Sequence, residues 1–147
     1  MKISVITACL NRKEFIGAAI ESVLAQNYPH FEHWIIDGGS SDGTHEVLKR
    51  YPHLNVLSEP DRGVYDAWNK GIDRADGDVI AILNSDDMYA AGAFHKCAGL
   101  FAASPFAPVG SGLHFEDDFQ FHRRTEWQTG NTKDKARRDG LFTECVS

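Results

Sequence analysis

Ile80-Ala81-Ile82-Leu83-Asn84-Ser85-Asp86-Asp87 is the stretch around which the chain is organised. An apolar run with β-branched residues ends in two adjacent carboxylates. A buried parallel strand that delivers acidic groups to its carboxyl-terminal rim has this form. Open α/β sheets bind their ligands outside the carboxyl ends of their strands. Two neighbouring carboxylates repel each other, and a divalent cation relieves that repulsion. Hard oxygen ligands favour Mg²⁺ or Mn²⁺. A second reading stays open, because Asp is also a favoured helix N-cap and either acid could cap the helix that follows.

Upstream, the same alternation of short apolar runs and helical patterns recurs. Residues 3–8 read as a first strand. Asn11, with Glu14 three places on, forms a capping box for a helix carrying Phe15/Ile16, Ala19/Ile20 and Val23/Leu24. Asn27-Tyr28-Pro29 ends that helix. A second strand covers residues 31–36 and closes on Asp37-Gly38-Gly39-Ser40-Ser41-Asp42-Gly43-Thr44, a loop whose glycines let backbone approach a ligand closely. Ser41 or Asp42 would cap a short helix with Val47, Leu48 and Tyr51. A third strand spans residues 55–58, and Glu59-Pro60-Asp61-Arg62-Gly63 can only be a loop. Helical spacing returns at Val64, Ala67/Trp68 and Gly71/Ile72, before the central strand at residues 78–83 and a last helix over residues 90–101.

The order βαβαβαβα implies a mostly parallel sheet with helices on both faces. Residues 1–103 form this core. Residues 104–125 add a further strand (residues 109–115) and a hairpin, with Glu116-Asp117-Asp118 at the turn. Residues 126–147 are polar and aperiodic, and read as a tail or an incomplete element.

Composition narrows the function. The chain has 147 residues, enough for one domain with a real core, and a net charge of −6 that argues against a nucleic-acid partner. Its three cysteines, Cys9, Cys97 and Cys145, form no C-x-x-C pair, so neither a zinc site nor a disulfide framework is indicated. The apolar run after Met1 is too short for a signal peptide, and no stretch approaches the roughly 20 apolar residues of a membrane span. The chain reads as cytoplasmic. There is no Walker loop, no Gly-x-Gly-x-x-Gly after the first strand, and no Gly-x-Ser-x-Gly elbow. Three loops, residues 7–11, 37–44 and 84–87, should therefore open on one edge and gather Asp37, Asp86 and Asp87.

Several motifs then carry a family resemblance in the right order. They are Ser4-Val5-Ile6-Thr7-Ala8 with Asn11, Gln26-Asn27-Tyr28, and Trp34-Ile35-Ile36-Asp37-Gly38-Gly39-Ser40-Ser41-Asp42-Gly43-Thr44. Ser58-Glu59-Pro60-Asp61-Arg62-Gly63-Val64-Tyr65-Asp66-Ala67-Trp68-Asn69-Lys70-Gly71-Ile72 follows, then Ala75-Asp76-Gly77-Asp78 and Leu83-Asn84-Ser85-Asp86-Asp87. Over residues 1 to about 100 the chain resembles the family 2 glycosyltransferases of the GT-A fold.

The resemblance implies a site for a nucleotide-sugar donor, UDP-linked, built from Thr7, Ala8, Asn11, Asp37, Arg62, Ser85 and Asp86. Thr7 and Ala8 match the loop that cradles the base, Asp37 matches an acid that contacts it, and Arg62 lies in a loop that helps hold the nucleotide. Asp86 would meet the ribose, and Asp87, with Asp86 beside it, the Mg²⁺ or Mn²⁺ that holds the diphosphate. The implied reaction is inverting transfer to a glycan or lipid-linked acceptor. The chain departs from the family in two places. Position 38, often acidic, is Gly38, and little chain remains to build an acceptor half with its catalytic base, for which Asp118 is the late candidate.

Blander readings stand beside these. Trp34 and Trp68 suit the core, and His114 and His122 lack ligand spacing. The basic pairs Arg123-Arg124 and Arg137-Arg138 are compatible with a peripheral membrane association or a glycan, but a solvated surface explains them more simply. Two alternatives to an active transferase remain. One is a non-catalytic sugar-nucleotide-binding fragment. The other is a Mg²⁺-dependent phosphoacceptor signalling domain, although such domains place their acid pair after the first strand, where this chain has Cys9-Leu10-Asn11.

Overall fold

The computed structural model describes residues 1–103, 113–114 and 120–123. Its elements run β1 (Ile3–Cys9), α1 (Ile16–Leu24), β2 (Phe31–Asp37), α2 (Thr44–Leu48), β3 (Leu54–Ser58), α3 (Val64–Arg74), β4 (Val79–Ile82), α4 (Ala93–Ala103), β5 (Leu113–His114) and β6 (Gln120–Arg123). They form one sheet in the order β3-β2-β1-β4-β6-β5. The first four strands are parallel; β6 runs antiparallel to β4, and β5 antiparallel to β6. This is the expected α/β architecture of GT-A type, with its late antiparallel pair. The turn expected at Glu116-Asp117-Asp118 and the tail over residues 126–147 lie outside the described residues.

The period-2 pattern of the strands divides the core between the two faces of the sheet. Ile3, Val5, Val79, Ala81 and Leu83 point to one face, where α1 and α4 cover them with Ala19, Val23, Phe94, Cys97 and Phe101. Phe94 is fully buried there and its burial contributes roughly 2–3 kcal/mol. Ile6, Ile36, Ile80 and Ile82 point to the other face, beneath Ala67 and Trp68 of α3. Trp68 is thus a core aromatic, as its helical spacing suggested.

Gly71 lets α3 lie close on the sheet. A Cβ at this position would stand 2.5 Å from Ile6 Cγ2 and 3.2 Å from Ile36 Cγ1. Because the helix runs back against the parallel strands, this close seat brings its first turn to their carboxyl ends.

Two expected helix starts are corrected. Asn11 does not cap α1, which begins at Ile16 after Phe15 and without a side-chain cap. Asn11 adopts φ 55°, a left-handed conformation that Asn tolerates, and its side chain is engaged by the neighbouring loop instead. Gly43 occupies the cap position of α2; Asp42, one place earlier, still accepts the Thr44 N–H at 3.0 Å. The capping alternative for Asp86 and Asp87 also falls, since α4 starts only at Ala93, after Gly92 at φ 80°.

Candidate functional site

β1 is the strand where the sheet changes direction, with β2 on one side and β4 on the other. Ligands of doubly wound sheets bind in the crevice at that point. Ala8, Cys9, Leu10 and Arg12 from the end of β1 line a cleft of about 240 Å³ there. Asp61, Gly63, Val64 and Ala67 close it from the α3 side, and Asn84, Ser85 and Asp86 from the end of β4.

Two loops of the rim are bound tightly to each other. Asn11 N–H donates to Ser40 Oγ at 2.8 Å, and Asn11 Oδ1 accepts from Ser41 N–H at 2.9 Å. Arg12 N–H donates to Thr44 Oγ1 at 3.0 Å and Lys13 N–H to Asp42 Oδ2 at 3.0 Å. Thr44 hydrogen bonds, the hydroxyl first, hold the Asp42 carboxyl below the usual carboxylate range.

Asp37 is the centre of this lacing. It pairs in register with Cys9 at the end of β1 and is fully buried. Its carboxylate accepts from the Gly39 N–H at 3.2 Å, the Ser40 N–H at 3.1 Å, the Ser58 hydroxyl at 2.7 Å and the Ser40 hydroxyl. His45 Nε2 stands 3.0 Å from Oδ2. Burial pushes the Asp37 carboxyl upward, but these hydrogen bonds outweigh it and hold the group below its ordinary value. The adjacent Cys9 thiol, buried and beside that charge, is pushed up to about 12, which makes it a neutral core thiol.

The acids after β4 are differently placed. Ser85 and Asp86 occupy a turn closed by Asp87 N–H to Asn84 O at 3.2 Å. Asn84 Nδ2 donates to Asp87 Oδ2 at 2.9 Å. Both carboxylates are exposed, while Ser85 is buried beneath them.

The structure thus gathers Asp37, Asp86 and Asp87 on one edge, as expected, and puts Ala8, Ser85 and Asp86 in the cleft wall. Thr7, Asn11, Asp37 and Arg62 stand elsewhere. Thr7 is fully buried and its hydroxyl pairs with His33 Nε2 at 2.9 Å. Asn11 and Asp37 are spent on the loop lacing. The Arg62 side chain is 90% exposed and turned to Asp66 at 3.1 Å. Asp118 lies outside the described residues. Arg12 and Asp61, neither of them among the residues expected at the site, both line the cleft. A signal was available for Arg12, a cation one residue beyond the rim loop of β1.

This geometry agrees with what comparison with known proteins shows. The model of glycosyl transferase family 2 matches residues 4–146. The chain belongs to that family. A putative teichuronic acid biosynthesis glycosyltransferase, TuaG, of Bacillus subtilis is 38% identical over 92 residues, covering 59% of this chain and 36% of the relative. An uncharacterised glycosyltransferase of Nostoc is 31% identical over 114 residues, covering 74% of this chain and 35% of its own length. The chain therefore spans about a third of these family 2 relatives.

Among solved structures, the S. aureus TarS fragment 1-349 in complex with UDP-GlcNAc is 27% identical with a TM-score of 0.61, over 71% of this chain and 32% of that one. A mannosyltransferase of Pyrobaculum calidifontis, PcManGT, in complex with GDP-Man and Mn²⁺, shares the fold at a TM-score of 0.72 and 20% identity, over 86% of this chain and 46% of that one. Among the described residues, no helix of this family member is long and apolar enough to cross a membrane. The family also leaves no room for the phosphoacceptor reading.

Proposed function

We propose that this chain is the donor-binding part of a metal-assisted, inverting glycosyltransferase that draws its sugar from a UDP-linked donor and passes it to a glycan or lipid-linked acceptor. The observation that carries the proposal is the cleft at the β1–β4 switch point, with Arg12, Asp61 and Asp86 in its wall and Asp87 beside it. At about 240 Å³ it is smaller than a typical small-molecule pocket of roughly 300–1,000 Å³. It would grip part of a nucleotide sugar and leave the sugar end to other elements. The related TarS structure with UDP-GlcNAc supports a uridine donor.

The donor set fits a magnesium-like ion. Asp86 and Asp87 are adjacent, exposed and on the rim, and no group of three or more His, Cys, Asp or Glu among the described residues forms a closed cage. Mg²⁺ and Mn²⁺ are commonly held by one or two carboxylates together with substrate phosphates, whereas structural zinc requires four protein ligands. Asp87 would hold the ion and Asp86 would assist or meet the ribose. When bound, the ion neutralises charge that develops on the departing diphosphate. The protein's own part is to place the two carboxylates: the Asn84–Asp87 turn carries both residues, and the Asn84 side chain holds Asp87 before a ligand arrives. Arg12 supplies a cation to a wall otherwise acidic or neutral.

Titration of UDP against the chain, with and without Mn²⁺, tests this. Binding should depend on the metal and vanish in Asp87→Ala; metal-independent or absent binding would overturn the proposal. Because the chain spans about a third of its relatives, a second reading is a donor-binding unit without turnover. An assay of donor hydrolysis and sugar transfer separates the two.

A further inference from the structure

Asp37 has no capacity left for a ligand. A carboxylate offers about four acceptor sites, and those of Asp37 receive two backbone N–H groups and two hydroxyls with the side chain fully buried. The acid that the family resemblance assigns to the base is therefore consumed by its own loop. Asp61 is placed in the opposite way. It lines the cleft, and its described hydrogen bond, from Gly63 N–H at 2.8 Å, goes to Oδ1. Its Oδ2 lies over Gly38, where a Cβ would stand only 2.6 Å away. The carboxylate thus fills the space that a side chain at position 38 would take.

We propose that Asp61, seated over Gly38, is the residue that selects the nucleobase, by accepting a hydrogen bond from an imide N–H. The assignment rests on the donor-binding reading above and deepens it. An ionised carboxylate is an acceptor only. Uracil presents a ring N–H donor, whereas cytosine presents a lone pair at the same ring position and would be repelled. A site built around such a bond rejects the analogue that lacks the donor, because the acceptor, covered by the bound base, is left unpaired. The placement is consistent along the cleft. Asp61 stands by the β2 loop, through Gly38, while Asp86 and Asp87 follow β4 on the far side of β1. Base and diphosphate would lie at opposite ends.

Gly38 supplies an independent variant. Its backbone is outside the left-handed region, so Ala is sterically acceptable there, and the new methyl group meets only the end of the flexible Asp61 side chain. The experiment is a pair of titrations, UDP and CDP with Mn²⁺, on the parent chain, Asp61→Asn and Gly38→Ala, with thermal melting of each. The parent should favour UDP by about tenfold or more. Asp61→Asn offers an amide that can donate to cytosine, so the ratio should fall to near one or invert; Gly38→Ala should lower it in the same direction with little change in melting. Equal affinity of the parent for both nucleotides, or a ratio unchanged in the variants, overturns the assignment of Asp61 and leaves donor binding standing. Failure of the parent to bind either nucleotide overturns the donor-binding reading, and the assignment with it.

Discussion

The rim of the sheet carries two acidic loops that look alike in the sequence and differ in the fold. At the end of β2, Asp37 is buried and accepts hydrogen bonds from Gly39, Ser40 and Ser58, while Asp42 tethers Lys13 and Thr44. At the end of β4, Asp86 and Asp87 face solvent, held by a single turn and one Asn84 contact. The first loop uses its carboxylates to bond the rim loops to one another; the second keeps them available. A buried, fully hydrogen-bonded carboxylate contributes to stability and is poor at binding, while an exposed pair gives little stability and can accept a cation.

Stability measurements test this contrast. The largest loss is expected for Asp37→Ala, which removes a buried acceptor shared by donors from Gly39, Ser40 and Ser58 and should cost about 3 kcal/mol in urea unfolding. A loss below about 1 kcal/mol would mean that the lacing is not what holds the two rim loops together. The same residue predicts an acid limb. Its folded-state carboxyl titrates below the ordinary value of about 3.9, so its contribution is full above that value and fades as pH falls through the lowered one. Asp37→Asn should flatten that limb between about pH 4 and the acid end of the unfolding profile.

Gly71→Ala should come next. The added methyl group meets Ile6 at 2.5 Å and overpacks the seat of α3, with an expected cost of about 1–3 kcal/mol. Because α3 forms one wall of the cleft, nucleotide affinity should weaken with it; unchanged affinity would show that the wall is set by the 59–63 loop alone. Smallest are Asp87→Ala and Arg62→Ala, each expected within about 0.5 kcal/mol of the parent. The two should separate in a nucleotide titration, where only Asp87→Ala has a large effect. A strong stability loss in Asp87→Ala would move that acid into the structural class with Asp37.

Much of the architecture was legible because its signals are local. The alternation of Ile3, Val5, Ile80 and Ile82 and the fourfold spacing of Ala19/Ile20 and Val23/Leu24 report burial directly, and strand ends came out within a residue or two. The start of α1 was misread because Asn11 and Glu14 have the form of a capping box. A Ser41 amide thirty residues away claims the Asn11 side chain instead. The family resemblance implies Thr7 in the loop that cradles the base, yet its side chain is buried against His33.

By itself the sequence determined the order of strands and helices, the edge on which the loops open, and the family to which the chain belongs, since periodicity and motif order need no knowledge of distant partners. Only the tertiary structure decided which carboxylates remain open to a ligand. That depends on groups far apart along the chain: Ser58 reaching Asp37, Asp61 settling over the empty side of Gly38, and Arg12 entering the cleft as Arg62 turns away to Asp66. A polar side chain takes whatever donors and acceptors the packed core brings near it, and spacing along a single strand of sequence does not encode that neighbourhood.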